Sequence, residues 1–497
     1  MKMKTKRTLA WLLTLLTIGS TLIACGGDGD GGKETDGKGS QNGEQTSGVD
    51  TIDTANMTET QKRQLVDDGI ETVDYNERPF RISGETDYSE NHYYVESENG
   101  DPCIDAVWKR NHKIEERFNI LIQLTEDIDF EESVLTDQKE VDLRAQAAWK
   151  MHHLVTQSLI YDWNEVEVIN QDQPWYTKLS NDESTIMGTL YGICSDFSIS
   201  AMTEAYGIFF NTRLVENYGI DKAGLYDMVN KGTWTIDKLI EVTKGIYEDI
   251  NMDNVRNQED LYGFTYYVSN AADVWLTAFD QTLTSKADDG TLVFHVATDK
   301  TEAALSKLRD WHQTNGVWVC QDEEDEYGLF VDAMTVFSPI PFSQCFTTLR
   351  EMEDVYSVLP YPKWDENQAG YYTNANDNYQ LFCLPKTLND EDLEFVGSIF
   401  EVLSAETWKT VSPIYYDAAL KGRYSKEPET AKMIDITMAG RRFEFSFQYA
   451  ESHLGGVSYL FRNLLKDPKT PLASKWMTTE RVINAKVTNG FYDLFTN

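Results

Sequence analysis

The chain has 497 residues, more than one hydrophobic core usually serves, and its 41% apolar content with 22 Phe, 26 Tyr and 12 Trp fills such cores with aromatics to spare for a binding surface. Its net charge of −38 repels phosphate backbones and anionic head groups, which argues against nucleic acid or the membrane surface as a partner. The cysteines (Cys25, Cys103, Cys194, Cys320, Cys345 and Cys383) are widely spaced, with no CxxC pair or Cys/His cluster, so neither a zinc site nor a disulfide framework is indicated.

Lys2, Lys4, Lys6 and Arg7 precede an uncharged apolar run over 8–23, which closes on Leu22-Ile23-Ala24-Cys25 before Gly26-Gly27. A basic start, a short apolar run and small residues at the cut make residues 1–25 a secretory signal, too short for a stable span. The Ala-Cys-Gly ending resembles the bacterial lipobox, which implies diacylation of Cys25 and an anchor on the extracellular face of the cytoplasmic membrane. Residues 26–76 read as a flexible linker: 26–48 holds Gly, Asp, Lys, Ser and Gln but no large apolar residue, and a short helix is allowed over 58–68.

From Arg78 the pattern turns globular. The spacing predicts a strand at 80–82, a helix over 103–118 and strands at 120–124 and 141–143, then a helix from about 148 to 159. This alternation implies a mostly parallel sheet covered by helices, with ligands at the carboxyl ends of strands, so the loop 144–149 is a candidate cleft edge. Strands follow at 190–193 and 206–211, and helices over 235–248 and 301–315. A buried-type strand at 333–337 stops at Ser338-Pro339, two more at 356–360 and 380–384 flank a Tyr- and Asn-rich loop, and the last third is mainly helical.

The stretches YDWNE (161–165), MGTLYG (187–192), IFFNTRL (208–214), TWTIDKLIE (233–241), DAMTVF (332–337), VLPYPKWDE (358–366) and YQLFCLPKT (379–387), with the helical stretch 396–420, occur in an order and spacing that resemble bacterial extracellular solute-binding lipoproteins of carbohydrate ABC transporters, the group containing maltose-binding protein. The resemblance spans roughly 73–449. It implies an α/β, two-lobed periplasmic-binding-protein-like fold of type II, each lobe a mostly parallel sheet flanked by helices, with the ligand cleft at the hinge. It further implies lobe one at 77–195 plus 338–375 and lobe two at 196–337 plus 376–497. The partners it implies are a small solute, an oligosaccharide foremost, and a membrane permease, with the receptor a monomer.

A carbohydrate cleft needs acids and amides for paired hydroxyls and flat rings for stacking. The candidates on the implied crossings are Asp196, Phe197, Glu204 and Tyr206 at the first, Ser338 and Phe342 at the second, and Tyr372, Asn374, Asn376, Asp377 and Tyr379 at the third. Trp275 is the expected stacking aromatic, and Trp149, His152 and His153 are further candidates at the loop after 143. Core packing is the competing role for each.

Asp249, Asn251, Asp253, Asn257 and Asp260 fall at positions 1, 3, 5, 9 and 12 of an EF-hand-like loop, with the Val255 carbonyl at position 7. A structural calcium is the expectation, with no cofactor required otherwise. Asn254 stands in place of the usual glycine and Asp260 in place of the longer Glu, and a metal-free acidic turn is the alternative. No GxSxG, HExxH or phosphate-cradling glycine loop is present, so the chain is not expected to be an enzyme. Two other readings remain open: a receptor for a cationic solute such as a polyamine on the same fold, and a surface glycan-degrading enzyme.

Overall fold

The computed structural model describes residues 57–84, 92–125, 128–375, 377–423, 427–450 and 452–496. The signal segment, Cys25, most of the expected linker and Asn376 lie outside the described residues.

The first sheet begins with Arg78–Ser83 (β1), Ile120–Leu124 (β2) and Leu143–Ala147 (β3), with β1 parallel to both others. The helix Pro102–Phe118 carries the chain from β1 to β2. Asp101 caps it by accepting from Cys103 N, proline fills its first position, and Asn119 ends it in the left-handed region at φ 48°. Along β2 the pattern alternates, with Ile120 and Ile122 buried and Leu121 44% exposed, as expected of a strand covered on one face.

Tyr206–Asn211 (β4), Tyr247–Glu248 (β5) and Leu261–Tyr267 (β6) belong to a second sheet, after which Thr284–Lys286 (β7) and Leu292–Phe294 (β8) form a separate hairpin. Val317–Cys320 (β9), Thr335–Pro341 (β10) and Tyr356–Leu359 (β11) complete the second sheet, in the order β11-β4-β10-β6-β5 with β9 also on β6. Strands β6, β9 and β10 are parallel; β4 runs against β10 and β11. Thr373–Asn374 (β12) pairs with Arg441–Arg442 (β14), and Gln380–Cys383 (β13) returns to the first sheet, antiparallel to β3, giving the order β13-β3-β1-β2.

The chain therefore passes between two helix-covered α/β sheets through a narrow ribbon. Ala205 bridges Ala375 antiparallel, the Ala375 amide donates to Arg442 O at 3.2 Å, and Thr373 Oγ1 donates to Tyr206 O at 2.7 Å.

The sheets divide the chain differently from the expected lobes. Residues 338–375 were expected in lobe one, yet β10 runs on through Pro341 between β4 and β6, and β11 closes the edge beside β4. An Arg213–Asp354 ion pair at 2.6 Å ties down the turn before β11. Residues 376–497 were expected in lobe two, yet β13 pairs with β3. The helix Asp390–Glu406 packs Phe395 against Tyr75 and Phe80 in the first core, with ring centroids 4.8 and 6.1 Å away.

The expected linker also ends earlier than residue 76. Helix Glu59–Gln64 has a complete capping box from Thr58 and Gln61, and Arg63 and Gln64 donate to the carbonyls of Trp408 and Lys409 at 2.9 and 3.1 Å. The five described cysteines are all buried, and no helix among the described residues is long and apolar enough to cross a membrane.

Candidate functional site

In α/β sheets ligands bind beyond the carboxyl ends of the parallel strands, where loops and helix starts converge. Four strands point such ends at the ribbon. β3 ends at Ala147 and delivers Trp149; β6 ends at Tyr267 and is followed by helix Asn270–Ala278. β9 leads into helix Glu323–Val331, and β10 ends at Pro341 before Phe342 and Ser343. The two antiparallel strands bring their starts to the same place. Tyr206 pairs with Pro341, which brings up Glu204, and Gln380 pairs with Ala147, which brings up Asp377 and Asn378.

Asp377 is pinned from both sides. Its carbonyl accepts from the Trp149 amide at 3.1 Å, Trp149 Nε1 donates to Asn378 Oδ1 at 3.1 Å, and Tyr459 OH lies 3.4 Å from Asp377 Oδ2. The guanidinium of Arg462 rests 4.0 Å over the Tyr459 ring and reaches Asp273 Oδ2 at 3.1 Å, Asn270 Oδ1 at 2.8 Å and Ser269 Oγ at 3.2 Å. Glu326 sits deeper, its Oε1 3.5 Å from Ser338 Oγ.

Burial dominates the electrostatics. It pushes the Glu204 carboxyl up to about 7; the Ser343 hydroxyl opposes this, while the charges of Asp377 and Glu323 add to it. It pushes Asp377 up to about 6, against the pull of Arg462 and the Tyr459 hydroxyl. Burial drives Glu326 well above the usual carboxylate range; it pushes Asp273 the same way against the opposing charge of Arg462, its ion-pair partner, and it raises Glu323.

Of the residues expected from sequence, Asp377, Glu204 and Trp149 meet in this site. Tyr206 forms its floor, 1% exposed, with its hydroxyl beside that of Tyr327. Asp196 is directed away from it. Asp196 Oδ2 accepts from Ser412 Oγ at 2.7 Å, and the residue lines a separate cavity of about 410 Å³ with Arg63, Trp408, Tyr416 and Arg441.

Trp275 is 0% exposed, enclosed by Phe264, Phe279, Trp311 and Tyr361, so no face is left for a ligand. Ser338 is likewise inside β10, donating to Thr265 O at 3.1 Å. Tyr379 is buried against Phe443, with its hydroxyl accepting from Ser180 Oγ at 3.1 Å. His152 and His153 face each other at 4.0 Å, and His152 bonds the Trp149 carbonyl at 3.0 Å.

Arg462, Tyr459, Glu323 and Glu326 are not singled out by the sequence. Glu323, and with it Asp273, carries a readable signal: each is an acid in the first turn of a helix that directly follows a parallel strand.

The acidic loop is arranged around its own backbone. Both oxygens of Asp249 accept amides, from Asp253 at 3.2 Å and Asn254 at 2.9 Å; Asn251 Oδ1 accepts from the Asp253 amide and Asp253 Oδ1 from the Val255 amide. Asp260, 0% exposed, turns inward to accept from the Asn257 amide at 3.0 Å and Tyr247 OH at 3.1 Å. Among the described residues no group of three or more His, Cys, Asp or Glu side chains is assembled that could hold a metal ion. As arranged, the carboxylates of Asp249 and Asp253 serve the loop's own amides, and Asp260 Oδ1 is left buried without a partner.

No family model and no curated protein sequence matches the chain. Solved structures do match its fold. One is an ABC substrate-binding protein from Listeria monocytogenes in complex with cycloalternan, at 11% identity and TM-score 0.52 over 82% of this chain and 99% of that one. Another is the cyclic alpha-maltosyl-1,6-maltose binding protein from Arthrobacter globiformis, at 14% identity and TM-score 0.54 over 83% and 99%. A third is UgpB from Mycobacterium tuberculosis in complex with glycerophosphocholine, at 11% and 0.54 over 83% and 98%. The chain has the two-lobed α/β fold of periplasmic-binding-protein-like solute receptors. Within that class its fold is the one shared with the maltose- and maltodextrin-binding ABC solute-binding proteins.

Proposed function

We propose that this protein captures a solute, an oligosaccharide, for an ABC importer. The convergence of Asp377, Glu204, Trp149, Tyr459 and Arg462 from both lobes and the ribbon at one set of strand ends carries this reading. Carboxylates accept from vicinal sugar hydroxyls, and half-buried rings cover apolar sugar faces. Several proteins of the same fold are solved with cycloalternan, maltotetraose or maltotriose, which supports a sugar as the solute.

Capture works by hinge closure. Contacts to both lobes exist together only when the ribbon bends, so the solute draws the population toward the closed form. Cys25 carries the lipid that holds the receptor on the outer face of the membrane, and the closed rims present the solute to the permease. Calorimetry with a panel of oligosaccharides on protein freed of residues 1–25 tests this. Saturable binding of one glycan class without its cleavage is the expected result; silence across the panel, or turnover of a glycan, sinks it.

A further inference from the structure

Acids outnumber bases at the strand ends. Glu204, Asp377, Glu323, Asp273 and Glu326 sense one another's charge or that of Arg462, while among the described residues Arg462 and Lys466 are cations that face them. Arg462 is already engaged by Asp273 and Asn270. Four of the carboxyls belong to residues no more than 9% exposed, where an ionised acid needs a partner.

A second observation does not depend on charge. Asn374, on the ribbon, is 3% exposed, and its Oδ1 has no hydrogen-bond partner. The antiparallel bridge between Ala205 and Ala375 sets Asn374 opposite Tyr206, on the same face of the ribbon. That face leads into the acidic group, because the Tyr206 hydroxyl lies within the fields of Glu323, Glu326 and Glu204. Asp273 Oδ1 is a second buried oxygen without a donor. Buried acceptors left without donors are uncommon in native proteins; of these two, one lies on the ribbon and the other in the first turn of the helix that follows β6.

The site thus offers acceptors in excess of donors. A neutral sugar hydroxyl donates and accepts in equal measure, whereas an ammonium group brings only donors together with a positive charge. We propose that the solute presents a protonated amine, received by Glu204, Asp377 and Glu323 with the Asn374 amide oxygen as a further acceptor. This rests on the solute-capture reading and names the group that the solute brings. The amine has two sources, an amino sugar within an oligosaccharide or a linear polyamine.

Calorimetry on the protein with four probes tests it: glucosamine tetramer, its N-acetylated counterpart, maltotetraose and spermidine. The glucosamine tetramer is expected to bind at least about tenfold more tightly than the N-acetylated tetramer, and Glu204→Gln with Asp377→Asn to remove that advantage. Should the double variant not fold, salt supplies an independent readout on the unaltered protein: affinity for the amine probe falls steeply as ionic strength rises, and a neutral probe's does not. Binding of spermidine alone supports the amine while overturning the oligosaccharide. Neutral tetramers binding as tightly as the amine-bearing one overturn the amine and leave oligosaccharide capture standing. Silence from both amine probes overturns the proposal.

Discussion

Arg462, on the helix Leu460–Lys466, lies 3.1 Å from Asp273 in the first turn of helix Asn270–Ala278, an ion pair whose side chains are only 14% and 4% exposed. It fixes one wall of the cleft, because the same guanidinium covers the Tyr459 ring that reaches Asp377. Removing one member of a buried pair strands the other, at a cost of about 3 kcal/mol. Arg462→Met is expected to lower stability by that amount in urea titrations. Arg462→Met with Asp273→Asn should recover most of it, since no unpaired charge then remains. A single variant costing under about 0.5 kcal/mol, as for an exposed pair, contradicts this account.

Stability should fall as pH rises from about 4.5 to about 7. Folding raises Glu204 and Glu401 to about 7 and Asp377 to about 6, from ordinary values of 4.5 and 3.8. Between the ordinary and folded values the unfolded chain has released protons that the folded chain still holds. The contribution is therefore complete below the ordinary values and lost as pH passes the folded ones. Each tenfold difference in proton affinity between the folded and unfolded chain amounts to about 1.4 kcal/mol. Overall acidity adds a slope of the same sign, so Glu401→Gln isolates one group. Glu401 is 1% exposed in the first lobe, accepting from Trp175 Nε1 at 3.1 Å and from Tyr176 OH. Urea midpoints at several pH values should fall less steeply in that variant; an unchanged slope counts against it.

Much of this arrangement was legible in the sequence. The Asp-Pro start and Asn end of the helix Pro102–Phe118, the alternation in β2 and the loop after β3 follow from local chemistry, and that loop led to Trp149. The lobe assignment of β11 and β13 did not follow. Both are four-residue buried strands, YSVL and QLFC, and such a strand carries no mark of the sheet it joins; pairing with β4 or β3 decides it. Trp275 illustrates the same limit. A helix over NAADVWLTA is apolar almost all round, so only the packing of Phe264, Trp311 and Tyr361 determines that its indole turns to the core.

Gly440 should prove essential to the ribbon. A Cβ there would stand 2.1 Å from the Tyr371 carbonyl oxygen, and the backbone cannot retreat without breaking the bond from Thr373 N to Gly440 O at 3.1 Å. Gly440→Ala is expected to cost about 2 kcal/mol, as overpacking does, and to weaken solute binding because β12 and β14 lose register. Gly316→Ala meets a comparable clash, 2.0 Å from Thr243 O, away from the ribbon. It should destabilise similarly while the remaining folded protein keeps its affinity. Equal losses of affinity in both variants would show that the ribbon has no special part.

The acidic loop yields the last prediction. An EF-hand-like loop needs its twelfth residue to close on the ion. Here that residue, Asp260, is buried and turned inward: Oδ2 accepts from the Asn257 amide and Tyr247 OH, with Tyr262 OH at 3.5 Å, while Oδ1 is buried without a partner. Leaving those partners would strand the part-buried Asn257 amide and the Tyr247 hydroxyl, while Tyr262 OH keeps the Asn257 carbonyl at 2.6 Å; the loss is about 1–3 kcal/mol for each group left without a partner. Asp260→Ala should therefore lower stability by about 2 kcal/mol, and Tyr247→Phe by about half as much, through lost hydrogen bonds alone. Calcium and EDTA should each leave the melting temperature unchanged, since a ligand that binds only the folded state must raise it. A rise with calcium that Asp260→Ala abolishes would mean that the carboxylate swings out to the ion, and the inward role assigned to Asp260 would be wrong.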